Sequence, residues 1–182
     1  MRNYLLRYRE KKGYASIGED AKEIFEWVDL VLLHLFLEIP REEGNQILYN
    51  LIDSGVDCFD KAEKLLIEKE RYYVLSRLYQ SRGITDKVLE TWMKMIDGSW
   101  PDIDFKNGEE RMRDYLIKCR DGDLVFRFGM WLAKRNPEAG VQVVLLFVKL
   151  IKGSGKRLQE KEPSASIRGN HRCIARGKCN RS

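Results

Sequence analysis

The sequence has few of the residues that build catalytic and metal sites. Its two histidines are His34 and His171. Its four cysteines are Cys58, Cys119, Cys173 and Cys179. No cysteine pair has C-x-x-C spacing, and the set His171, Cys173 and Cys179 fits no common zinc pattern and lacks a fourth ligand. The sequence therefore predicts no metal site, no cofactor and no disulfide framework, and it favours a reducing, cytoplasmic compartment.

Proline is also scarce, with four residues, and no apolar run is long enough to cross a bilayer. Ile24–Ile39 contains three acidic residues, and Val141–Ile151 is far shorter than the roughly 20 apolar residues that a span needs. The charged segment Met1–Lys12 does not resemble a signal peptide. With 43% apolar and 34% charged residues, the composition is typical of helical proteins. We expect a helical domain with no transmembrane segment.

Side chains that could catalyse a reaction do not occur in recognisable sets. His34 lies in the most apolar predicted helix, which favours a structural role, and His171 has no predicted partner that could orient it. Gly153–Lys156 lacks the earlier glycine and the following Ser or Thr of a phosphate-binding loop. The acidic pairs Glu42-Glu43 and Glu109-Glu110 lie where helices begin and complement the helix dipole. We predict no catalytic residues and no enzymatic activity.

Positive charge is concentrated at the C-terminal end of the sequence. Residues 152–182 contain nine Lys or Arg and two Glu, whereas residues 1–151 contain 24 basic and 26 acidic side chains. The helical body is therefore near neutral and is not expected to bind nucleic acid. Residues 153–182 are rich in Gly, Ser and Arg without any period, which predicts disorder. Because basic tails attract anionic lipids and nucleic acid, a membrane-anchoring or nucleic-acid-anchoring tail remains an alternative function.

Apolar residues recur at helical spacing throughout residues 1–152. The predicted helices end near Gly13, Pro40, Gly55, Gly83 and Gly98. The helix over Ile24–Ile39 is the most apolar, so we expect neighbouring helices to cover both of its flanks. Asp20 and Asp57 are predicted helix N-caps, and Trp100–Gly108 is predicted to be a loop.

Short helices with tight connections cannot bury their apolar stripes alone. Stacked antiparallel pairs bury them, which predicts an α-solenoid over residues 1–152, similar to the clathrin heavy-chain repeat. The spacing in Leu65–Leu89 is echoed in Tyr115–Val141, an offset of about 50 residues, near the upper end of helical repeat lengths. The residues predicted to face the core include Trp27, Tyr72, Tyr73, Trp92, Trp131, Cys58 and Cys119. Trp100, in a loop beside Pro101, is the one candidate for contact with a partner.

A set of short segments resembles one protein family. In order, they are Val28–Glu38, Glu68–Tyr79, Leu89–Trp92, Ile96–Gly98, Asp123–Phe126, Trp131–Leu132 and Gly140–Val143. Each segment resembles a solenoid helix or turn of the TGF-beta receptor-associated protein and its vacuolar-sorting relatives. The resemblance covers residues 4 to 144 and keeps the family's order throughout.

The resemblance implies a function in membrane traffic. Long members of this family are subunits of the endosomal tethering complexes CORVET and HOPS, and they bind endosomal Rab GTPases and partner subunits before SNARE-driven fusion. The resemblance therefore implies a non-catalytic scaffold of an endosomal or vacuolar tethering complex. Such a protein would be cytoplasmic and would attach peripherally to membranes through its partners.

The chain departs from this family pattern in two respects. It lacks the citron homology propeller that precedes the solenoid in long members, and the resemblance ends after Val144, where the basic tail begins. We therefore expect a solenoid fragment, of the kind that a truncated or mis-spliced gene would produce. A helical scaffold of another coat or trafficking complex remains an alternative.

Overall fold

The computed structural model describes residues 2–10 and 19–159, with side chains over residues 2–10 and 22–148. Within these ranges all regular secondary structure is helical. The helices are α1 Arg2–Glu10, α2 Glu19–Leu37, α3 Arg41–Asp53, α4 Phe59–Glu68, α5 Tyr72–Ser81, α6 Thr85–Ile96, α7 Gly108–Lys118, α8 Gly122–Arg135 and α9 Pro137–Gln159. The predicted all-α class is confirmed.

The chain divides into two compact units, Met1–Phe147 and Val148–Ser182. The first unit holds α1 to α8 and the beginning of α9. The second is described only where it contributes to α9, which extends to Gln159. The predicted boundary at residue 153 stays a prediction. Lys, Arg, Leu and Gln surround the glycines of this segment, and all four favour helix. The remainder of the predicted disordered tail lies outside the described residues, and its disorder stays a prediction.

Neighbouring helices of the first unit pack as a solenoid. Turns of three residues connect α4 to α5, α5 to α6 and α7 to α8, so these helices return in antiparallel directions. Helix α2 contacts both α3 and α4, and α3 contacts α5, which stacks one helix pair on the next. Gly55 and Gly83 follow α3 and α5 with φ of 80° and 70°, a backbone conformation that ends a helix and favours glycine. The predicted α-solenoid is confirmed.

A continuous apolar core runs through this stack. Its largest fully buried side chains include Phe36, Leu48, Ile52, Leu66, Leu75, Leu78, Leu89, Met112, Leu116 and Phe128. Each fully buried leucine stabilises the fold by about 1.5–3 kcal/mol. Helices of ten to fourteen residues, such as α4 to α8, are marginal alone, so contacts between neighbouring helices supply most of their stability.

Helix α2 faces the core with a side that the sequence does not predict. Its buried residues are Phe25, Asp29, Leu32, Leu33 and Phe36. Ile24, Trp27 and Val31 are 47%, 52% and 38% exposed, so the prediction that both flanks are covered and that Trp27 lies in the core is wrong. His34, for which the sequence favours a structural role, is exposed on this helix.

The orientation of α2 follows from Asp29. This carboxylate is 1% exposed and accepts hydrogen bonds from Arg9 Nε at 2.6 Å and from the backbone N–H of Asp57 at 2.8 Å. Arg9 also donates to the hydroxyl of Ser54 and the carbonyl of Gly55. The network joins α1, α2 and the turn between α3 and α4. A buried carboxylate is tolerated only when it is paired, and these partners meet that condition. The rotation of α2 that places Asp29 among them also places Trp27, two residues earlier, on the outer side.

The predicted helix ends are confirmed in part. Helix α2 begins at Glu19, so Asp20 lies inside it and not before it. Cys58, and not Asp57, is the residue that immediately precedes α4. The acidic pairs lie in the first turns of α3 and α7 as predicted. Cys58 is buried as predicted, whereas Cys119 is only partly covered.

Candidate interaction surface

The loop of residues 97–107, between α6 and α7, carries Trp100, the residue that the sequence selects for partner contact. The Trp100 ring is stacked on Tyr72, with 4.7 Å between ring centroids and 15° between planes. Lys94 Nζ lies 4.0 Å from the centroid of the same ring, and the backbone N–H of Trp100 donates to the backbone carbonyl of Lys94. Trp100 therefore holds the loop against α5 and α6 and leaves only part of its ring for a partner.

Two aspartates fix the second half of this loop. The Asp102 side chain is fully buried, accepts a hydrogen bond from the Tyr73 backbone N–H at 2.8 Å and pairs with Arg41 Nη1 at 3.0 Å. Asp104 accepts a hydrogen bond from Asn45 Nδ2 at 3.0 Å. Arg41 and Asn45 belong to α3, and Tyr73 lies in the first turn of α5. The loop thus joins α3 to α5 while it connects α6 to α7.

Arg71 is a buried cation where the 97–107 loop contacts α3 and α5. Its side chain is 6% exposed, lies 3.8 Å from Asp104 and donates to Asn45. Burial, and then repulsion from Arg41, lower the pKa of the Arg71 guanidinium, whereas the charge of Asp104 opposes that change. Burial, followed by the charge of Asp104, raises the pKa of Tyr49 to about 12. The positive charges of Arg41 and Arg71 are offset by the negative charges of Asp102 and Asp104 inside the fold.

Ile103 is a large apolar residue of this loop that is exposed and that the sequence pattern does not single out. It is 74% exposed and stands between the two anchored aspartates. Because both neighbours are fixed, the loop would lose little conformational entropy when a partner contacted Ile103. The alternation Asp102-Ile103-Asp104 was the one sequence signal that could have indicated the exposure of Ile103. A polar loop of this composition, however, does not reveal which side chains turn inward.

Exposed apolar side chains also form faces on ordered helices. Ile24, Trp27 and Val31 share one side of α2, where Lys61 Nζ lies 4.6 Å from the centroid of the Trp27 ring. A second set lies on α8 and the first part of α9, and its members are Phe126, Met130, Val141 and Leu145. Exposed apolar side chains that share a helix face are candidates for contact with a partner.

The open clefts in the described part of the chain include two that lie at the ends of helices. The first, of about 350 Å³, includes Cys58 and Phe59 at the start of α4. Burial, followed by the charge of Asp29, raises the pKa of the Cys58 thiol to about 11, which makes it a poor nucleophile at neutral pH. The second cleft, of about 400 Å³, lies at the turn between α7 and α8 and includes Tyr115 and Cys119.

The remaining candidates from the sequence do not come together. In the described ranges no group of His, Cys, Asp and Glu side chains could hold a metal ion. His171, Cys173 and Cys179 lie outside those ranges. None of the helices in the described part of the chain combines the length and the apolarity that a membrane span requires.

Comparison with known proteins places this stack of helices in a family. Residues 28–133, from α2 into α8, match the family model of vacuolar sorting protein 39 domain 1. Vacuolar protein sorting-associated protein 3 of Schizosaccharomyces pombe is 30% identical over 150 residues. Transforming growth factor-beta receptor-associated protein 1 is 24% identical over 143 residues in Homo sapiens, and its Danio rerio homolog is 29% identical over 143 residues.

Each of these alignments covers 78% of this chain but 16% of the relative. No solved structure matches the chain. The family model matches more than half of the chain and includes most of the segments on which the sequence resemblance rests. That resemblance is confirmed, and the chain belongs to the vacuolar sorting protein 39 domain 1 family.

Proposed function

We propose that this chain is a non-catalytic scaffold segment of a membrane-tethering complex in endosomal or vacuolar transport. The family match over residues 28–133 carries the proposal, because the matched residues are the helical stack itself. The relative from Schizosaccharomyces pombe is named for vacuolar protein sorting. In this proposal the protein is cytoplasmic and reaches endosomal or vacuolar membranes through its partners.

The mechanism that we propose is display of a rigid surface. Buried charges join the helices: Asp29 joins α2 to α1, and Asp102 joins the 97–107 loop to α3 and α5. Apolar side chains such as Trp27 and Ile103 stay exposed on this fixed frame. Since the most buried carboxylates are engaged in structural bonds, the arrangement supports binding of partner subunits and Rab GTPases over catalysis.

Affinity purification of the tagged full chain from cell extract tests the scaffold proposal. We expect tethering-complex subunits and an endosomal Rab GTPase to be enriched, as measured by quantitative mass spectrometry. The control is the same chain with Leu78→Pro, which breaks α5 in the middle of the stack. Recovery of no tethering subunit and no Rab above this control would contradict the proposal.

Rab binding is tested separately with purified endosomal Rab GTPases. We expect the chain to bind the form loaded with a non-hydrolysable GTP analogue more tightly than the GDP form, because the γ-phosphate orders the switch loops that effectors contact. Surface plasmon resonance measures both affinities. Equal or absent binding would remove the Rab part of the proposal and leave the subunit part to the purification.

A further inference from the structure

The cleft between α7 and α8 has fixed, mainly apolar walls. Its volume of about 400 Å³ lies within the range of about 300–1,000 Å³ that ligand clefts occupy. Its wall includes Tyr115 and Cys119 of the α7 end and Thr85 at the start of α6. The Tyr115 ring packs edge-on against Trp92, with 5.2 Å between centroids. Trp92 is buried, so this wall is held by the core.

Two exposed cations line the same cleft. They are Lys118 and Arg120, and neither forms an ion pair with another side chain that the structure describes. The one acid of the lining, Asp121, is engaged as the N-cap of α8, where its Oδ1 accepts hydrogen bonds from the backbone N–H groups of Asp123 and Leu124 at 3.0 and 3.2 Å. The cleft therefore combines apolar walls with two cations that are available to a ligand.

The cleft at the start of α4 differs from the α7–α8 cleft in the charges that line it. Two of its three cations are already engaged: Lys61 pairs with Glu26 at 3.9 Å and faces the Trp27 ring, and Arg82 donates to the Val56 carbonyl at 2.6 Å. The third is Lys22. Glu26, Asp57 and Asp60 also line it, so its three acids balance its three cations, whereas the α7–α8 cleft has two cations and one acid. The α7–α8 cleft is the better site for an anionic partner.

We infer that the α7–α8 cleft binds a short segment of a partner protein in which aliphatic side chains are flanked by acidic residues. The aliphatic side chains fill the space beside Tyr115 and Cys119, and the flanking carboxylates pair with Lys118 and Arg120. Charge complementarity of this kind fixes the orientation of a bound segment and speeds its association. The inference rests on the proposed scaffold function, since it names a chemistry that one partner of the scaffold carries.

Fluorescence anisotropy with a synthetic probe tests the inference on the full chain. The probe is a fluorescein-labelled Glu-Glu-Leu-Leu-Glu-Glu peptide, and its two controls replace either both leucines by alanine or all glutamates by lysine. We expect binding of the probe and a loss of about tenfold or more with each control peptide, because the site needs both apolar contact and opposite charge. Equal binding of the leucine and alanine peptides would overturn the inference.

A matched pair of charge-reversal variants separates the cleft from the overall charge of the chain. The test variant carries Lys118→Glu and Arg120→Glu, and the control carries Lys64→Glu and Lys134→Glu, also at exposed positions. We expect about tenfold weaker probe binding for the first variant and less than about twofold change for the second. Equal losses in both variants would assign the binding to overall charge, including the basic tail, and would overturn the inference.

Two further readouts distinguish this inference from its alternatives. Binding of phosphatidylserine vesicles that is lost in the cleft variant, without any peptide binding, would assign the cations to a membrane and overturn the inference. In the affinity purification, full recovery of tethering subunits by the cleft variant would overturn the inference while the scaffold function stands. If the unmodified chain recovers no subunit, the scaffold function fails, and the peptide measurements decide the cleft on their own.

Discussion

Helices α5 and α2 are fixed in the same stack by different forces. Helix α5 lies among α3, α4 and α6, and its Val74, Leu75 and Leu78 are fully buried. Helix α2 buries Leu32 and Leu33 but also a carboxylate, and it leaves Trp27 half exposed. Apolar packing dominates the orientation of α5, whereas in α2 an ion pair selects which of several apolar sides is buried.

An apolar pattern orients a helix only when polar residues occupy the opposite side. In α5 the fully buried Val74, Leu75 and Leu78 share one side, and exposed Gln80 lies on the opposite side. In α2 apolar residues occur around most of the helix, so burial alone does not distinguish one rotation from another. Asp29 does distinguish them, because its partners Arg9 and the Asp57 N–H lie on one side only.

The largest effect is expected from Asp29→Ala, which removes the feature that orients α2. The change leaves the Arg9 guanidinium without its buried partner and the Asp57 N–H without an acceptor. We expect the free energy of unfolding to fall by about 3–5 kcal/mol, as measured by urea denaturation. The control is Glu23→Ala at an exposed position of the same helix. A loss below about 1 kcal/mol would mean that packing alone orients α2.

A slightly smaller effect is expected from Leu78→Ala in α5, where packing does the orienting. Leu78 is fully buried, and its truncation removes apolar contacts and leaves a cavity. We expect a loss of about 3 kcal/mol, within the range for buried leucines, in the same urea experiment. Gln80→Ala, on the exposed side of α5, is the control and should change the stability by less than about 0.5 kcal/mol. Similar losses for both variants would contradict the buried position of Leu78.

A partly exposed ion pair should contribute much less than the buried pair of Asp29. Glu63 of α4 accepts hydrogen bonds from Lys87 of α6 and Tyr79 of α5. The bond from Lys87, and then that from Tyr79, lower the pKa of Glu63 below its ordinary value of 4.5. Its contribution is therefore present above about pH 4.5 and is lost as the pH falls through the lowered value.

The variant Glu63→Gln tests this contrast. At pH 7 we expect a loss of about 1 kcal/mol or less, because the pair is partly solvated, and below the lowered pKa we expect the two proteins to converge. Urea unfolding across pH 3 to 7 measures the difference. A difference that grows as the pH falls would have the wrong sign and would contradict the bonding of Glu63.

The smallest effect is expected on the exposed side of α2. Trp27→Ala removes a half-exposed ring and its contact with Lys61. We expect the stability to change by about 0.5–1 kcal/mol, the value of an exposed cation–π contact, and to fall far less than for Asp29→Ala. Thermal unfolding followed by circular dichroism is the measurement. A loss of about 3 kcal/mol or more would place Trp27 in the core.

Much of the stack was predictable because its middle helices carry a single apolar stripe. The pattern in α4 to α6 predicts the buried residues Leu66, Val74, Leu78 and Leu89, and the glycine turns predict most helix ends. The rotation of α2 was not predictable in this way, since it depends on the meeting of Asp29 with Arg9, which are 20 residues apart. Sequence patterns describe one helix at a time and do not encode such a distant pair.

The interaction surface was less predictable than the fold. A tryptophan in a loop beside a proline indicates exposure, but Trp100 lies against Tyr72 and Lys94. The large apolar side chain that the loop exposes is Ile103, and the aspartates on either side of it are bonded to α3 and α5. Whether a loop side chain turns inward depends on donors that other helices supply, and local composition contains no record of those donors.

Cysteine labelling measures the rotation of α2 directly. In a chain whose four native cysteines are replaced, with Cys58→Ala and serine at the other positions, Trp27→Cys and Leu33→Cys are compared for their rates of reaction with a thiol reagent. Because Leu33 is fully buried and Trp27 is half exposed, we expect the thiol at position 27 to react at least about a hundredfold faster, since position 33 requires the structure to open. Equal rates, or faster reaction at position 33, would contradict the orientation on which this account depends.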